Sequence, residues 1–329
     1  MVRLAQIGAG SLGTRRVLPS VRRHDAELVG ICDLEIGKAE AAARRFGIQR
    51  ALTDYRDMIE ATRPDGVIIC IGPAAHQELA PEVMRLGCHA YTEKPPSVTA
   101  EQAKRVAQVS RETGKICMTA FKKRFAPAYT KAKAIVESED FAPPALLSID
   151  YASGPYANPP DDPRRQFLLD FAIHIIDLSR FLFGEVAELN ARRQDQDSYA
   201  VLLTFRSGAL GALALTCHRD FGVSTEKVEL TGAPGHFISI EDSSVMTYYR
   251  GREIAAHHRP AFFTAGADSL AETGFAGEMG EFIAAIEEGR APESSIESSY
   301  RSMVLYEAIR DAADTQQPVL LREGERKTP

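Results

Sequence analysis

A short apolar run at residues 2–8 leads directly into Gly8-Ala9-Gly10-Ser11-Leu12-Gly13. The G-x-G-x-x-G spacing alone recurs in ordinary turns. Here it follows a strand-like segment and opens a helical stretch over 12–22, and that context leaves few folds open. In a βαβ unit the three glycines allow a tight turn, close approach of a pyrophosphate, and close helix–strand packing. The helix N-terminus then offers unpaired N–H groups to phosphate oxygens. Asp33 ends the second apolar run (27–32), twenty residues after Gly13. An acid at that place accepts hydrogen bonds from ribose hydroxyls and repels a 2′-phosphate. The first thirty-three residues therefore predict a unit that binds a nicotinamide dinucleotide, with NAD(H) favoured. Arg15, Arg16 and Lys38 keep NADP(H) as the alternative. Gly8, Ala9, Gly10, Ser11, Leu12, Gly13, Asp33, Leu34 and Lys38 are the candidate contacts.

Val- and Ile-rich runs continue at 66–71, 88–92 and 116–120, separated by helix-period stretches at 35–46, 74–86 and 99–112. Thr99 with Gln102 forms a capping-box signature. Such alternation predicts a parallel, doubly wound sheet. Beyond residue 121 the pattern changes. A helix is expected at 126–137, a strand at 145–151, a Pro/Gly/Asn/Asp-rich loop at 153–165, and one apolar helix at 167–183 ended by Gly184. Antiparallel strands follow over 186–249, with a turn at Arg206-Ser207-Gly208, and helices return at 275–288 and 297–313. The fold class is α/β: an N-terminal Rossmann domain (1–121) and a C-terminal α+β domain (122–329) with a large, open, mostly antiparallel sheet.

Composition narrows the partners. The chain has 329 residues, 44% hydrophobic and 26% charged, with net charge −6. No basic block is long enough to track a nucleic-acid backbone. No apolar run is long enough to span a bilayer, and the N-terminus enters a strand at once, so a cytoplasmic location and no membrane partner are expected. The five cysteines include no C-x-x-C pair, so no metal site or disulfide framework is expected.

Three further segments carry a resemblance. Ile68-Ile69-Cys70-Ile71-Gly72-Pro73-Ala74-Ala75-His76 ends a strand, Glu93-Lys94-Pro95 ends the next, and Asp170-Phe171-Ala172-Ile173-His174 lies in the apolar helix. With the glycine loop, these make the chain similar to the glucose–fructose oxidoreductase, inositol dehydrogenase and MocA family from residue 2 to about 220. The resemblance implies a sugar or polyol substrate, hydride transfer to or from a nicotinamide, and homodimers or homotetramers built through the C-terminal sheet. It implies that Lys94, Asp170 and His174 are catalytic. It places Cys70, Ile71, Gly72, Pro73, His76, Glu93, Lys94 and Lys122 along the cofactor. Departures are Gly72 before Pro73 where the family often has Thr or Asn, a doubled proline at Pro96, and Arg164–Leu169 where many members have a glycine-rich run.

The residues support this chemistry in their own right. Sites in doubly wound sheets lie outside the carboxyl ends of the strands, where Gly72, Lys94 and 121–124 fall. A cis Lys94–Pro95 bond would turn the lysine into that cleft. Asp170 and His174, four apart, share a face of one helix. Either Asp170 orients a general base, or the two are a satisfied core pair. Asp177 is expected to give structural support. Lys94, Lys122, Arg124, Tyr156, Asn158, Arg164, Asp170 and His174 are the candidate substrate contacts. Two other readings are an NAD-dependent glycosidase working through transient oxidation, and a non-catalytic regulator sensing sugar or dinucleotide.

Overall fold

The computed structural model describes residues 1–155, 166–195, 197–260, 268–322 and 325–326. It divides into two compact units, Met1–Lys122 with Gly274–Arg301, and Lys123–Thr273 with Ser302–Pro329.

The first unit is built on six strands: β1 (Val2–Ile7), β2 (Ala26–Cys32), β3 (Ala51–Leu52), β4 (Gly66–Ile69), β5 (His89–Thr92) and β6 (Cys117–Thr119). All pair in parallel, in the order β3-β2-β1-β4-β5-β6. This is the doubly wound order, with its switch point between β1 and β4, where ligands bind in such sheets. Their residues are buried on both faces, which is why the sequence reads as continuous apolar runs. Helix Ala100–Thr113 starts at the expected capping box, with both reciprocal bonds present.

Two features of this unit were not expected. Helix Tyr55–Thr62 is capped by Asp54, which accepts from the N–H groups of Arg56 and Asp57. Residues 274–301 also return to this unit, although the sequence boundary gave them to the second domain. Helix Phe275–Glu288 packs Phe282 on Tyr91, ring centroids 5.6 Å apart. Ser294 brackets the end of β6: its carbonyl accepts from Thr119 N–H, and its hydroxyl donates to Thr119 O.

The second unit holds β7 (Leu146–Ala152), β8 (Val186–Gln194), β9 (Ser198–Phe205), β10 (Leu210–Thr216), β11 (Thr225–Thr231), β12 (His236–Glu241), β13 (Val245–Arg250), β14 (Glu253–His258), β15 (Val319–Arg322) and β16 (Glu325–Arg326). The sheet order is β14-β13-β12-β11-β7-β10-β9-β8-β15-β16, antiparallel except for β7 with β10. Alternate residues such as Leu147, Ile149, Val201, Leu203, Leu213, Val228 and Ile238 are fully buried. Helices Pro127–Val136 and Ile173–Phe183 belong to this unit, the first packing on β12 and β13 and the second on β7. The intervening residues, among them Leu146, Leu202 and Leu210, are exposed.

All five cysteines are buried and reduced. Among the described residues no helix is long and apolar enough to cross a membrane.

Candidate functional site

The glycine loop is held from below. Gly8 sits at φ 93°, and a Cβ there would lie 2.4 Å from the Cys70 carbonyl oxygen. A Cβ on Gly13 would lie 2.6 Å from Gln6 Nε2, and that same amide donates to Gly8 O at 2.7 Å. Gly10 differs, because a Cβ there meets nothing within 4 Å. Two glycines are thus required by the protein's own packing, while the third faces open space where a phosphate can approach. The turn into the first helix is π-helical over Gly13–Val17 rather than regular, a form that often marks functional sites.

Asp33 closes the loop. Its Oδ2 accepts from Ala9 N–H at 2.8 Å and its Oδ1 from Glu35 N–H at 3.0 Å. Each oxygen keeps a further lone pair for a ribose hydroxyl. Lys38 is exposed and paired with Glu35 at 2.5 Å. Leu12, Leu34, Ile36 and Ile71 expose apolar side chains on the segments after β1, β2 and β4, with Leu34 93% exposed. An apolar surface beside an open glycine cradle fits the rings and phosphates of a dinucleotide.

The segment after β4 behaves as expected in part. Gly72 begins helix Pro73–Arg85. Cys70 is buried, and its thiol is pushed up to about 12 by burial, with the charges of Glu93 and Glu278 adding. His76, expected along the cofactor, is fully buried, and both ring nitrogens are engaged inside the protein. Nδ1 donates to Pro95 O at 2.9 Å, and Nε2 accepts from Ile71 N–H at 3.4 Å. The ring therefore ties the Lys94–Pro95 turn to the Ile71 turn. Burial lowers its pKa to about 4, with the Lys94 charge adding, so it is neutral.

Glu93 and Lys94 follow β5, and the Lys94–Pro95 bond is cis. Glu93 N–H donates to Ile69 O at 3.0 Å, joining the ends of β4 and β5. Glu93 Oε2 accepts from Lys94 N–H at 3.1 Å. The Lys122 ammonium lies over the Phe275 ring, 4.3 Å from its centroid. The charges of Lys94 and Lys122 both act on Glu93. The structure thus brings Glu93, Lys94 and Lys122 together, and it adds two residues that sequence reasoning missed, Tyr91 and Glu278. A signal for Glu278 existed. It lies at helical spacing with Phe275 and Phe282, a carboxylate on an apolar face.

In the second unit the expected helix 167–183 is interrupted. Phe167–Asp170 and Ile173–Phe183 are separate helices. Ala172 N–H donates to Phe167 O, and His174 N–H to Phe171 O, so the regular ladder shifts twice at residues 171–172. The periodic argument that put Asp170 and His174 on one helix face does not hold across this break. No proline or glycine marks it. Phe171 instead packs edge-on against Phe221, centroids 6.0 Å apart. Asp170 and His174 are both half-buried.

A cleft of about 340 Å³ in this unit is lined by Tyr151, Ser153, Phe171, Phe221, Glu226 and Asp242 among others. The Asp170 charge reaches Tyr151. Glu226 is paired with Lys123 and accepts from Tyr129 and Ser243. Burial raises the pKa of Glu226, but the Lys123 ammonium and these hydrogen bonds outweigh burial and hold the carboxyl below its usual range.

Arg124, a candidate substrate contact, has its charge engaged within the second unit. It is buried, and its guanidinium grips Asp177 at 2.7 and 2.6 Å. Asp177 gives the structural support expected of it. Tyr156, Asn158 and Arg164 lie outside the described residues.

Residues 2–121 match a family model described as an oxidoreductase family with an NAD-binding Rossmann fold, and residues 161–321 match its C-terminal alpha/beta domain. The chain is 26% identical to the myo-inositol 2-dehydrogenase of Thermotoga maritima, over 98% of this chain and 99% of the relative. It is 26% identical to the inositol 2-dehydrogenase of Rhizobium meliloti, over 96% and 98%. A solved levoglucosan dehydrogenase, in complex with NADH and levoglucosan, shares the fold at a TM-score of 0.84 and 22% identity, covering 97% of this chain and 99% of that one.

Proposed function

We propose that this chain, which belongs to the glucose–fructose oxidoreductase, inositol dehydrogenase and MocA family of oxidoreductases, oxidises a secondary alcohol of a cyclic polyol or sugar. The observation that carries the reading is Lys94. It stands at the carboxyl end of β5, beside the switch point of an NAD-type Rossmann unit, in a chain whose full-length relatives include inositol dehydrogenases.

The loop Gly8–Gly13, Asp33, Leu34 and the segment Cys70–Pro73 would hold the dinucleotide. Asp33 favours NAD(H), because a 2′-phosphate would meet its carboxylate, and Lys38 is already turned to Glu35. When bound, the nicotinamide supplies the hydride acceptor. Lys94 stabilises the negative charge that develops on the substrate oxygen. His174 takes the hydroxyl proton as general base, and Asp170 orients it. In the reverse direction His174 or Lys94 returns the proton.

The exposed face of the second unit's sheet supports self-association. Leu146, Leu202, Leu210, Ala200 and Ala214 point away from the core there. A second copy of this chain is its proposed partner.

The test is direct. Incubating the protein with NAD and a panel of inositols, hexoses and glycosides, and following reduced nicotinamide, should show turnover with at least one cyclic polyol or sugar. Glycoside cleavage without net reduction would support a hydrolytic reading instead. Binding of dinucleotide with no turnover on any member of the panel would support a regulator.

A further inference from the structure

The first unit buries two carboxylates beside the proposed nicotinamide site. Glu93, after β5, is 5% exposed, and Glu278, in the first turn of helix Phe275–Glu288, is 1% exposed. Glu93 Oε1 and Glu278 Oε2 are shielded from solvent; Glu278 interacts with the Tyr91 hydroxyl, and Glu93 Oε1 has no hydrogen-bond partner among the described residues. Buried polar atoms are rarely left in that condition, so an oxygen of this kind is where a proton or an ordered water belongs.

The surroundings set how much charge this pocket can hold. The groups facing the pair are Cys70 from the end of β4, Tyr91 on β5, Lys94 after β5 and Lys122 after β6. Cys70 and Tyr91 are neutral, since burial pushes both up. Lys94 and Lys122 bring the positive charge. Two ionised carboxylates held together in so dry a place repel each other and lose hydration. One ionised carboxylate facing two ammonium groups does not meet that penalty.

We infer that Glu93 and Glu278 hold one proton between them, so that the pair carries a single negative charge as counter-ion to Lys94 and Lys122. Burial raises both carboxyls and the Glu93 charge drives Glu278 further up, outweighing the Lys94 and Lys122 charges and the Tyr91 hydrogen bond that act the other way. The two therefore titrate as a unit rather than as separate sites. The shared proton does not rest on the proposed catalytic role of Lys94.

Infrared spectroscopy of protein labelled at its glutamate carboxyls tests the pair without cofactor or substrate. At neutral pH the wild type should show the band of an un-ionised glutamic acid. Glu93→Gln and Glu278→Gln should each remove that band, because the neutral amide replaces the neutral acid and the remaining carboxyl ionises. A wild type with no such band, or a band that survives in either variant, overturns the inference.

Thermal unfolding of the cofactor-free chain gives a second reading. A raised carboxyl binds more protons in the folded state than in the unfolded one, so the pair's contribution to folded stability falls as pH rises from the ordinary carboxyl range to neutral. Glu278→Gln removes that slope, and its melting temperature should gain on the wild type across the range. A pH-independent difference overturns the inference. Should Glu278→Gln fail to fold, the wild-type spectrum and Glu93→Gln still decide. Absence of turnover on every polyol would remove the role of Lys94, while the spectra would judge the proton pair alone.

Discussion

Arg124 and Asp177 form a buried bidentate ion pair: Nε donates to Oδ2 at 2.7 Å and Nη2 to Oδ1 at 2.6 Å. Ser302 adds a third bond to Asp177 at 2.7 Å, and Arg180 in turn donates to Ser302 at 2.6 Å. The cluster joins the turn Lys122–Phe125, helix Ile173–Phe183 and the Ser302 end of the second unit. Removing one charge leaves the other buried without its partner, which costs about 3–5 kcal/mol. Asp177→Asn and Arg124→Met should each lower the denaturant midpoint accordingly. Arg124→Lys should recover only part of the loss, because a point charge cannot make the two-pronged contact. None of the three variants should change the identity of the substrate used. A substrate switch in Arg124→Met would return Arg124 to the binding site.

Gly10 and Gly13 should separate binding from folding. A Cβ at Gly13 meets Gln6 and the Gly8 carbonyl, whereas one at Gly10 meets nothing within 4 Å. Gly13→Ala should therefore lower stability as well as dinucleotide affinity. Gly10→Ala should leave the melting temperature near that of the wild type and weaken NADH binding, read from nicotinamide fluorescence, by about tenfold or more. A charge-assisted hydrogen bond is worth about 1.5–3 kcal/mol, so Asp33→Ser should weaken NADH binding by about 10–100-fold and narrow the preference over NADPH. Unchanged discrimination in Asp33→Ser would remove Asp33 from the ribose site.

The parts of this molecule that were legible in sequence are those fixed by local chemistry. The glycine loop, the parallel strands, the Thr99–Gln102 cap and the stop at Gly184 each follow from a few adjacent residues. What was not legible depends on partners far along the chain. Helix Phe275–Glu288 has a clear period, but period does not say which sheet it covers, and Gly274–Arg301 joins the first unit. The partner of Arg124 was hidden because Asp177 lies fifty-three residues away. His76 lies next to the cofactor segment in sequence, yet Pro95 and Ile71 turn its ring inward. The break at Phe171–Ala172 has no glycine or proline to announce it.

Lys94 and His174 should show a loss in kcat rather than in cofactor affinity. Stabilising charge on the reacting oxygen is worth about 10²–10³ in rate, and general-base catalysis about 10²–10⁴. Lys94→Met and His174→Asn should fall by those amounts with the best substrate of the panel, while the NADH dissociation constant stays within about threefold. Asp170→Asn should fall less than His174→Asn, since it leaves the imidazole in place. Equal and full activity in Lys94→Met would end the hydride-transfer assignment for this lysine.

His76 makes an acid limit to stability. Its ring is neutral in the fold, with a pKa of about 4, against about 6.5 for an unfolded histidine. The unfolded chain binds the proton first, so this contribution is full above about pH 6.5 and is lost as pH falls towards 4. The loss amounts to about 3 kcal/mol at the acid end. Urea unfolding at about pH 7 and about pH 5 should show the wild type losing stability relative to His76→Gln, which has nothing to titrate there. A wild-type and variant pair with parallel acid limbs would mean that another group sets the limit.

The open face of the second sheet should govern assembly. Ala212 lies between Leu202 and Ser148 in register, and Leu210 pairs with Leu146, so the outward residues of β7, β9 and β10 form a patch of small and apolar side chains with Asp150 beside Ala214. Leu202 is 64% exposed and Leu210 54%. A contiguous apolar patch of this kind is unusual on a monomer and marks a docking surface. Leu202→Arg together with Leu210→Arg leaves the buried positions of the same strands untouched, so the fold should persist. Burying two guanidinium groups against a second copy of the same face is strongly unfavourable. Sedimentation should therefore show a wild-type oligomer and a smaller species for the double variant, with similar circular dichroism. A wild type that sediments as a monomer at all concentrations, or a double variant that assembles as the wild type does, would place the contact elsewhere.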